Sequence, residues 1–231
     1  MLHTMITAHS GCEGTAENSL ESIALGIELG AECVEVDVRL APDGTLWLSH
    51  NRPDPGAELV SLEQAFAALQ GSAAAINCDL KEYAALAPVL ALAEAREIPR
   101  ERLFLSGSVD PAVLEKDPSI ARRARVLLNS EEVARHLRPE LPDERTAQQA
   151  LFEAIPDELA ECLRALGVEG LNAPYQFMPH ALIAALQARG IALSLWTVND
   201  EADLRRLLQE NLLNITTRNV RSALALRAAL A

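Results

Sequence analysis

A chain of 231 residues, 49% of them hydrophobic, can bury one large core, and it carries a net charge of −13. That acidity, with no Lys/Arg-rich run, disfavours a nucleic-acid partner and an anionic membrane surface. With no basic-then-apolar leader and no long apolar span, the expectation is a cytoplasmic protein without stable membrane insertion. In chain order, strand-like runs fall near residues 4–9, 33–39, 75–80, 103–107, 125–129, 169–173, 192–198 and 213–217, with an extra strand at 45–49. Helical periodicity fills 18–30, 61–70, 83–96, 111–116, 146–166, 179–189, 200–210 and 219–230. Asn18 with Glu21, and Ser61 with Gln64, read as capping boxes, and 130–145 as a charged, Pro-containing surface excursion. Eight strands alternating with helices predict an α/β fold, a single-domain (β/α)8 TIM barrel over residues 1–231. Cys12, Cys33, Cys78 and Cys162 lack C-x-x-C spacing and read as reduced thiols.

The densest chemistry lies between Cys33 and Asn51. Val34, Val36 and Val38 alternate with Glu35, Asp37 and Arg39, so the two carboxylates share one strand face. If that face is buried, their repulsion calls for a cation between them. In isolation the same pattern fits a solvated edge strand, with Arg39 as partner. Pro42-Asp43-Gly44 turns the chain into a second strand ending on His50. The first strand ends at His9-Ser10-Gly11, and the third carries Asp79 and Lys81 against Cys78 and Leu80. In a parallel barrel these strand ends meet at one mouth. Glu35, Asp37 and Asp79, three carboxylates without a thiolate in the pattern, suit one hard divalent cation, Mg²⁺ or Ca²⁺.

These residues resemble the glycerophosphodiester phosphodiesterase family. The resemblance rests on His9-Ser10-Gly11, Ala16-Glu17-Asn18, Glu35-Val36-Asp37, Asp43-Gly44, His50-Asn51 and Asp79-Leu80-Lys81, and on Leu195-Trp196-Thr197-Val198-Asn199 near the C-terminal side. It implies a metal-dependent enzyme that cleaves a small-molecule glycerophosphodiester to an alcohol and glycerol 3-phosphate. Glu35, Asp37 and Asp79 would hold the cation, and His9 and His50 would serve as acid and base, with His9 read as proton acceptor and the order left open. The family's chemistry allows the substrate's own glycerol hydroxyl to attack first. Lys81 would contact a non-bridging phosphate oxygen, although as a plain ion-pair partner of Asp79 it would look the same. Glu17 would orient groups of the site, or serve only as a first-turn acid. Trp196 would pack against the leaving alcohol, with core filling as the alternative.

Several positions depart from the family pattern. Ser10 stands where an arginine usually grips the phosphate, a contact worth ~2 kcal/mol. Asp79 replaces Glu, Asn51 replaces Asp, and Thr216-Thr217-Arg218 stands where Thr-Asp commonly ends strand eight. The usual insertion after the second His is reduced to Arg52–Val60, which predicts an uncovered site. Asp79-Leu80-Lys81 and the missing arginine also resemble sphingomyelinase D-like enzymes, so a phosphodiester lyase stays open, as does an idle phosphate-binding barrel. His3, His136 and His180 read as surface residues, and the sequence leaves homo-oligomerisation open.

Overall fold

The computed structural model describes residues 3–54 and 56–230. Eight parallel strands, β1 (Met5–Ala8), β2 (Cys33–Leu40), β4 (Ala75–Leu80), β5 (Leu103–Gly107), β6 (Arg125–Asn129), β7 (Gly170–Pro174), β8 (Leu193–Trp196) and β9 (Asn214–Thr217), form one sheet. A short antiparallel strand, β3 (Leu46–Leu48), pairs with the end of β2, Val38 opposite Leu48. The sheet closes because β1 pairs with both neighbours, Ala8 against Val34 on one side and Ile6 against Ile215 on the other. The architecture is the TIM barrel that the alternation of elements predicts.

Side-chain alternation divides the barrel into an outer apolar shell and a graded interior. Outward residues such as Ile6, Val34, Val36, Ile76 and Leu105 are buried beneath the helices. Inward residues begin with an apolar floor of Cys33, Ala75, Phe104 and Leu127. Above it lies a polar layer. Thr7 donates to Asn214 at 2.7 Å, Asn214 to Ser194 at 2.9 Å, Asn172 to Asn129 at 2.8 Å and Asn77 to Ser106 at 3.0 Å. One step further along each strand come the residues of the mouth.

The helices of the shell are α1 (Leu20–Leu29), α2 (Leu62–Ala68), α3 (Leu86–Ala95), α4 (Pro111–Lys116), α5 (Ile120–Arg123), α6 (Ser130–Leu137), α7 (Arg145–Ala154), α8 (Pro156–Leu166), α9 (His180–Gln187), α10 (Glu201–Leu207) and α11 (Val220–Leu230). The capping box at Ser61 and Gln64 forms, but Ser19, not Asn18, caps α1: its hydroxyl accepts from Ser22 N–H, and Asn18 stands outside the helix at φ 56°. The predicted helix over 146–166 is two helices, because Ile155 leaves helical geometry and Pro156 starts a new one. The predicted excursion over 130–145 contains α6, whose Val133 and Ala134 are buried against the shell. The hairpin strand stops at Leu48, two residues short of His50. No helix among the described residues is long and apolar enough to cross a membrane.

Candidate active site

The strand ends open into a cavity of about 630 Å³, lined by His9, Glu17, Glu35, Asp37, His50, Asp79, Lys81 and Trp196 among others. Of the catalytic, metal-holding and phosphate-binding positions considered in the sequence (His9, Ser10, Glu17, Glu35, Asp37, His50, Asp79, Lys81 and Trp196), Ser10 alone is not part of the lining. It is buried, and its hydroxyl accepts from Asn18 N–H at 2.6 Å.

The acidic cluster is a consequence of register. Asp37 on β2 lies opposite Asp79 on β4, and Glu35 lies opposite Asn77. Glu35, Asp37 and Asp79 each present an oxygen within 4.8 Å of the other two. Asp37 is 3% exposed and is held by Asn18 twice: the amide donates to Oδ2 at 2.8 Å, and Asp37 N–H donates to Asn18 Oδ1 at 2.9 Å. Glu35 accepts from Ser10 N–H at 3.0 Å. Lys81 lies 2.5 Å from Asp37 Oδ1 and 2.5 Å from Asp79 Oδ2. Burial, then the charges of Asp37 and Asp79, push the Glu35 carboxyl well above the usual range. Burial likewise raises Asp79, against the pull of Lys81. Lys81 is itself raised: burial opposes its charge, but Asp79 and Asp37 outweigh it.

The donor set fits a divalent cation. It is all oxygen, it carries more negative charge than Lys81 neutralises, and it includes a spare neutral acceptor. Asn77 is buried, donates its amide to Ser106, and has an Oδ1 without a hydrogen-bond partner among the described residues. Ser106 in turn faces Asp79 at 3.4 Å, which fits the amide orientation. Gly107, at φ 74°, leaves room for that carboxylate, because a Cβ there would stand 2.2 Å from Asp79 Oδ1.

The two imidazoles are held differently. His9 follows β1, with Nδ1 2.8 Å from the carbonyl oxygen of Ser10 and 3.8 Å from Glu35. A ring nitrogen that donates to a carbonyl carries the proton, which leaves Nε2 as the free base of the neutral ring. Burial lowers the His9 pKa below its ordinary value, and the nearby Arg218 charge adds to the effect. His50 is exposed beyond the hairpin, with Nδ1 3.3 Å from Asn51. Arg39 anchors this loop by donating twice to the His50 carbonyl, at 3.2 and 2.8 Å, while pairing with Glu82.

Trp196 ends β8, partly exposed in the mouth, with the Arg145 guanidinium 5.5 Å from its ring centroid. Glu17, half exposed, pairs with Arg218. His3 and His180 are exposed, whereas His136 is half-buried at 3.3 Å from Glu115.

Sequence reasoning assigned no site role to Asn18, Arg39, Asn77, Gly107 or Arg218. Alternation could have indicated three of them. Arg39 lies two residues past Asp37, Asn77 two before Asp79, and Arg218 two past the inward Thr216. Asn18 and Gly107 act through contacts that only the closed barrel creates.

A closed parallel barrel that gathers carboxylates, a lysine and two imidazoles at the C-terminal ends of its strands has the layout in which α/β barrels carry their active sites. The glycerophosphoryl diester phosphodiesterase family model matches residues 8–54, the stretch from His9 through His50. The glycerophosphodiester phosphodiesterase GDPD4 of Arabidopsis thaliana is 23% identical over 220 residues, which cover 88% of this chain and 67% of that protein. Among solved structures, the glycerophosphodiester phosphodiesterase of Thermotoga maritima superposes with a TM-score of 0.74 at 21% identity, covering 98% of this chain and 100% of the other. A phosphodiesterase of Oleispira antarctica, in complex with the product sn-glycerol-3-phosphate, gives a TM-score of 0.73 at 19% identity, with 96% of each chain covered. The chain is thus similar to glycerophosphodiester phosphodiesterases, in the stretch around β1 and β2 by the family model and over most of its length by these relatives.

Proposed function

We propose that this chain hydrolyses glycerophosphodiesters to an alcohol and glycerol 3-phosphate, with a divalent cation, Mg²⁺ or Ca²⁺, held by Glu35, Asp37 and Asp79. The observation that carries this reading is the convergence of those carboxylates within 4.8 Å, with Lys81 between two of them and His9 beside the third. The cation would supply Lewis-acid charge to the phosphate oxygens. The chain's own groups would do the rest. His9, neutral and with Nε2 free, takes the proton of the substrate's glycerol 2-hydroxyl as that oxygen bonds to phosphorus to give a cyclic phosphate. His50, at the exposed side of the mouth, gives a proton to the departing alcohol oxygen as the old bond breaks. In a second step water, deprotonated by His50, opens the ring to glycerol 3-phosphate as His9 returns its proton to the 2-oxygen. Lys81 offsets charge on a non-bridging oxygen. Glu17 orients the rim, and Trp196 offers an apolar wall to the leaving alcohol.

The test is turnover of glycerophosphocholine and glycerophosphoethanolamine with Mg²⁺, with Ca²⁺ and with EDTA, beside His9→Ala. The expected result is cation-dependent release of glycerol 3-phosphate, lowered in kcat by roughly 100- to 10,000-fold in the variant. Turnover that survives EDTA, or that His9→Ala leaves intact, would overturn the assignment.

A further inference from the structure

Six carboxylates line the cavity, counting Glu17, Glu131 and Glu132 with the central three, against Arg39, Lys81 and Arg218 as the cations. Beside a bound cation and the shared Lys81, a phosphodiester anion entering this field gains from a positive group that is not already tied to carboxylates. Lys81 is shared between Asp37 and Asp79 at 2.5 Å each. Arg39 is spent on Glu82 and the His50 carbonyl. Arg145, stacked on Trp196, is tied to Glu131 at 2.8 Å. Arg218 differs. Its backbone N–H donates to Asn199 Oδ1 at 2.8 Å, which fixes the turn after β9, and its Nε–H donates to the Ser10 carbonyl at 3.2 Å. One terminal nitrogen pairs with Glu17, and the other, Nη1, has no hydrogen bond among the described residues. The Glu17 pair is 41% and 54% exposed, so it orients the guanidinium without holding it strongly.

Resting on the reading that this cavity takes a phosphodiester, we propose that Arg218 is its phosphate-gripping residue, donating from its guanidinium to a non-bridging oxygen beside His9. Residue 10 offers no charge there: the Ser10 hydroxyl is buried and spent on Asn18 N–H. A planar fork fixed at its Nε end is suited to an oxyanion in a way that a point charge is not. Arg218 therefore sets affinity for the phosphate group and not for the alcohol.

The test is calorimetric titration of cation-loaded protein with sn-glycerol 3-phosphate and with inorganic phosphate, together with kinetics on glycerophosphocholine, for the wild-type chain, Arg218→Ala and Arg218→Lys. Arg218→Ala is expected to weaken both phosphates and raise KM by roughly 10- to 100-fold, with a smaller change in kcat, and Arg218→Lys to recover part of the loss. Should the alanine variant fail to fold, Arg218→Lys and Arg218→Gln carry the same comparison. Unchanged phosphate affinity and KM in a folded variant would overturn the proposal while leaving the hydrolytic reading intact. Phosphate binding that depends on Arg218, without turnover of any glycerophosphodiester, would uphold the proposal and remove the hydrolytic reading. A wild-type chain that binds neither phosphate would remove both.

Discussion

Asp79 owes its position to a missing atom elsewhere. Gly107 lies at φ 74°, and a Cβ there would meet Asp79 Oδ1 at 2.2 Å and the Leu80 carbonyl oxygen at 2.3 Å. Backbone cannot yield as the end of a flexible side chain can, so both the strained φ and the overlap have to be relieved by movement of β4. Gly107→Ala is expected to cost roughly 2–4 kcal/mol of folding stability, read as a fall in the urea midpoint at unchanged slope. Cation affinity should fall with it, because the carboxylate that must move belongs to the cluster. A midpoint within error of the wild type would show that the strand pair has slack. At this scale the sequence was readable where chemistry sits on one strand. Glu35 with Asp37, and Asp79 with Lys81, declare a shared face by their spacing of two. It was opaque where one residue serves another across the fold, as with Gly107 under Asp79 and Asn18 around Asp37.

Among the elements, the β2–β3 hairpin has the least regular task. Its ladder ends at Leu48, yet His50 stands beyond it at the cavity rim. Arg39 substitutes for the missing ladder by clasping the His50 carbonyl with two nitrogens while pairing with Glu82 on the segment after β4. Lysine keeps the charge but loses the fork. Arg39→Lys is therefore expected to lower kcat by about 10- to 100-fold through misplacement of the imidazole, with little change in thermal midpoint. A variant with wild-type kcat would mean that the loop holds its own shape. The strands themselves were legible nearly to the residue, because buried parallel strands are short apolar runs with few competing patterns. Helices were less so. Periodicity runs smoothly through Pro156 although the backbone does not, and α6 was hidden by Glu131 and Glu132, which look solvated in sequence although Glu132 is buried.

At the level of the whole molecule, the barrel is stitched shut where β1 meets β9 and α11 packs alongside. Arg227 donates to the Thr4 carbonyl at 2.8 Å and to Glu32 at 2.6 Å, while Glu32 also accepts from Ile6 N–H at 2.9 Å. Burial pushes the Glu32 carboxyl up, but Arg227, Ile6 N–H and His3 together hold it below its ordinary value. A depressed carboxyl stabilises the fold above its unfolded pKa, and that contribution disappears as pH falls through the folded one. Arg227→Met should therefore lower the denaturation midpoint at neutral pH, by an amount worth about 1 kcal/mol or less, and the gap from wild type should close as pH falls below the ordinary glutamate range and through the lowered Glu32 pKa. A gap that stays constant with pH would assign the loss to packing by the Arg227 stem. The closure itself was legible as a count of eight strands, but not which charges secure it, since His3, Glu32 and Arg227 are far apart in sequence and carry no motif.

The seam has a consequence for the cavity. His9 and Arg218 are more than two hundred residues apart in the chain, yet Arg218 stands against the Ser10 carbonyl, and the His9 backbone N–H donates to Thr217 at 2.9 Å. Any state of the chain in which β9 has not yet docked on β1 therefore lacks the wall and the guanidinium beside the first imidazole, so the cavity is completed by this one long-range contact.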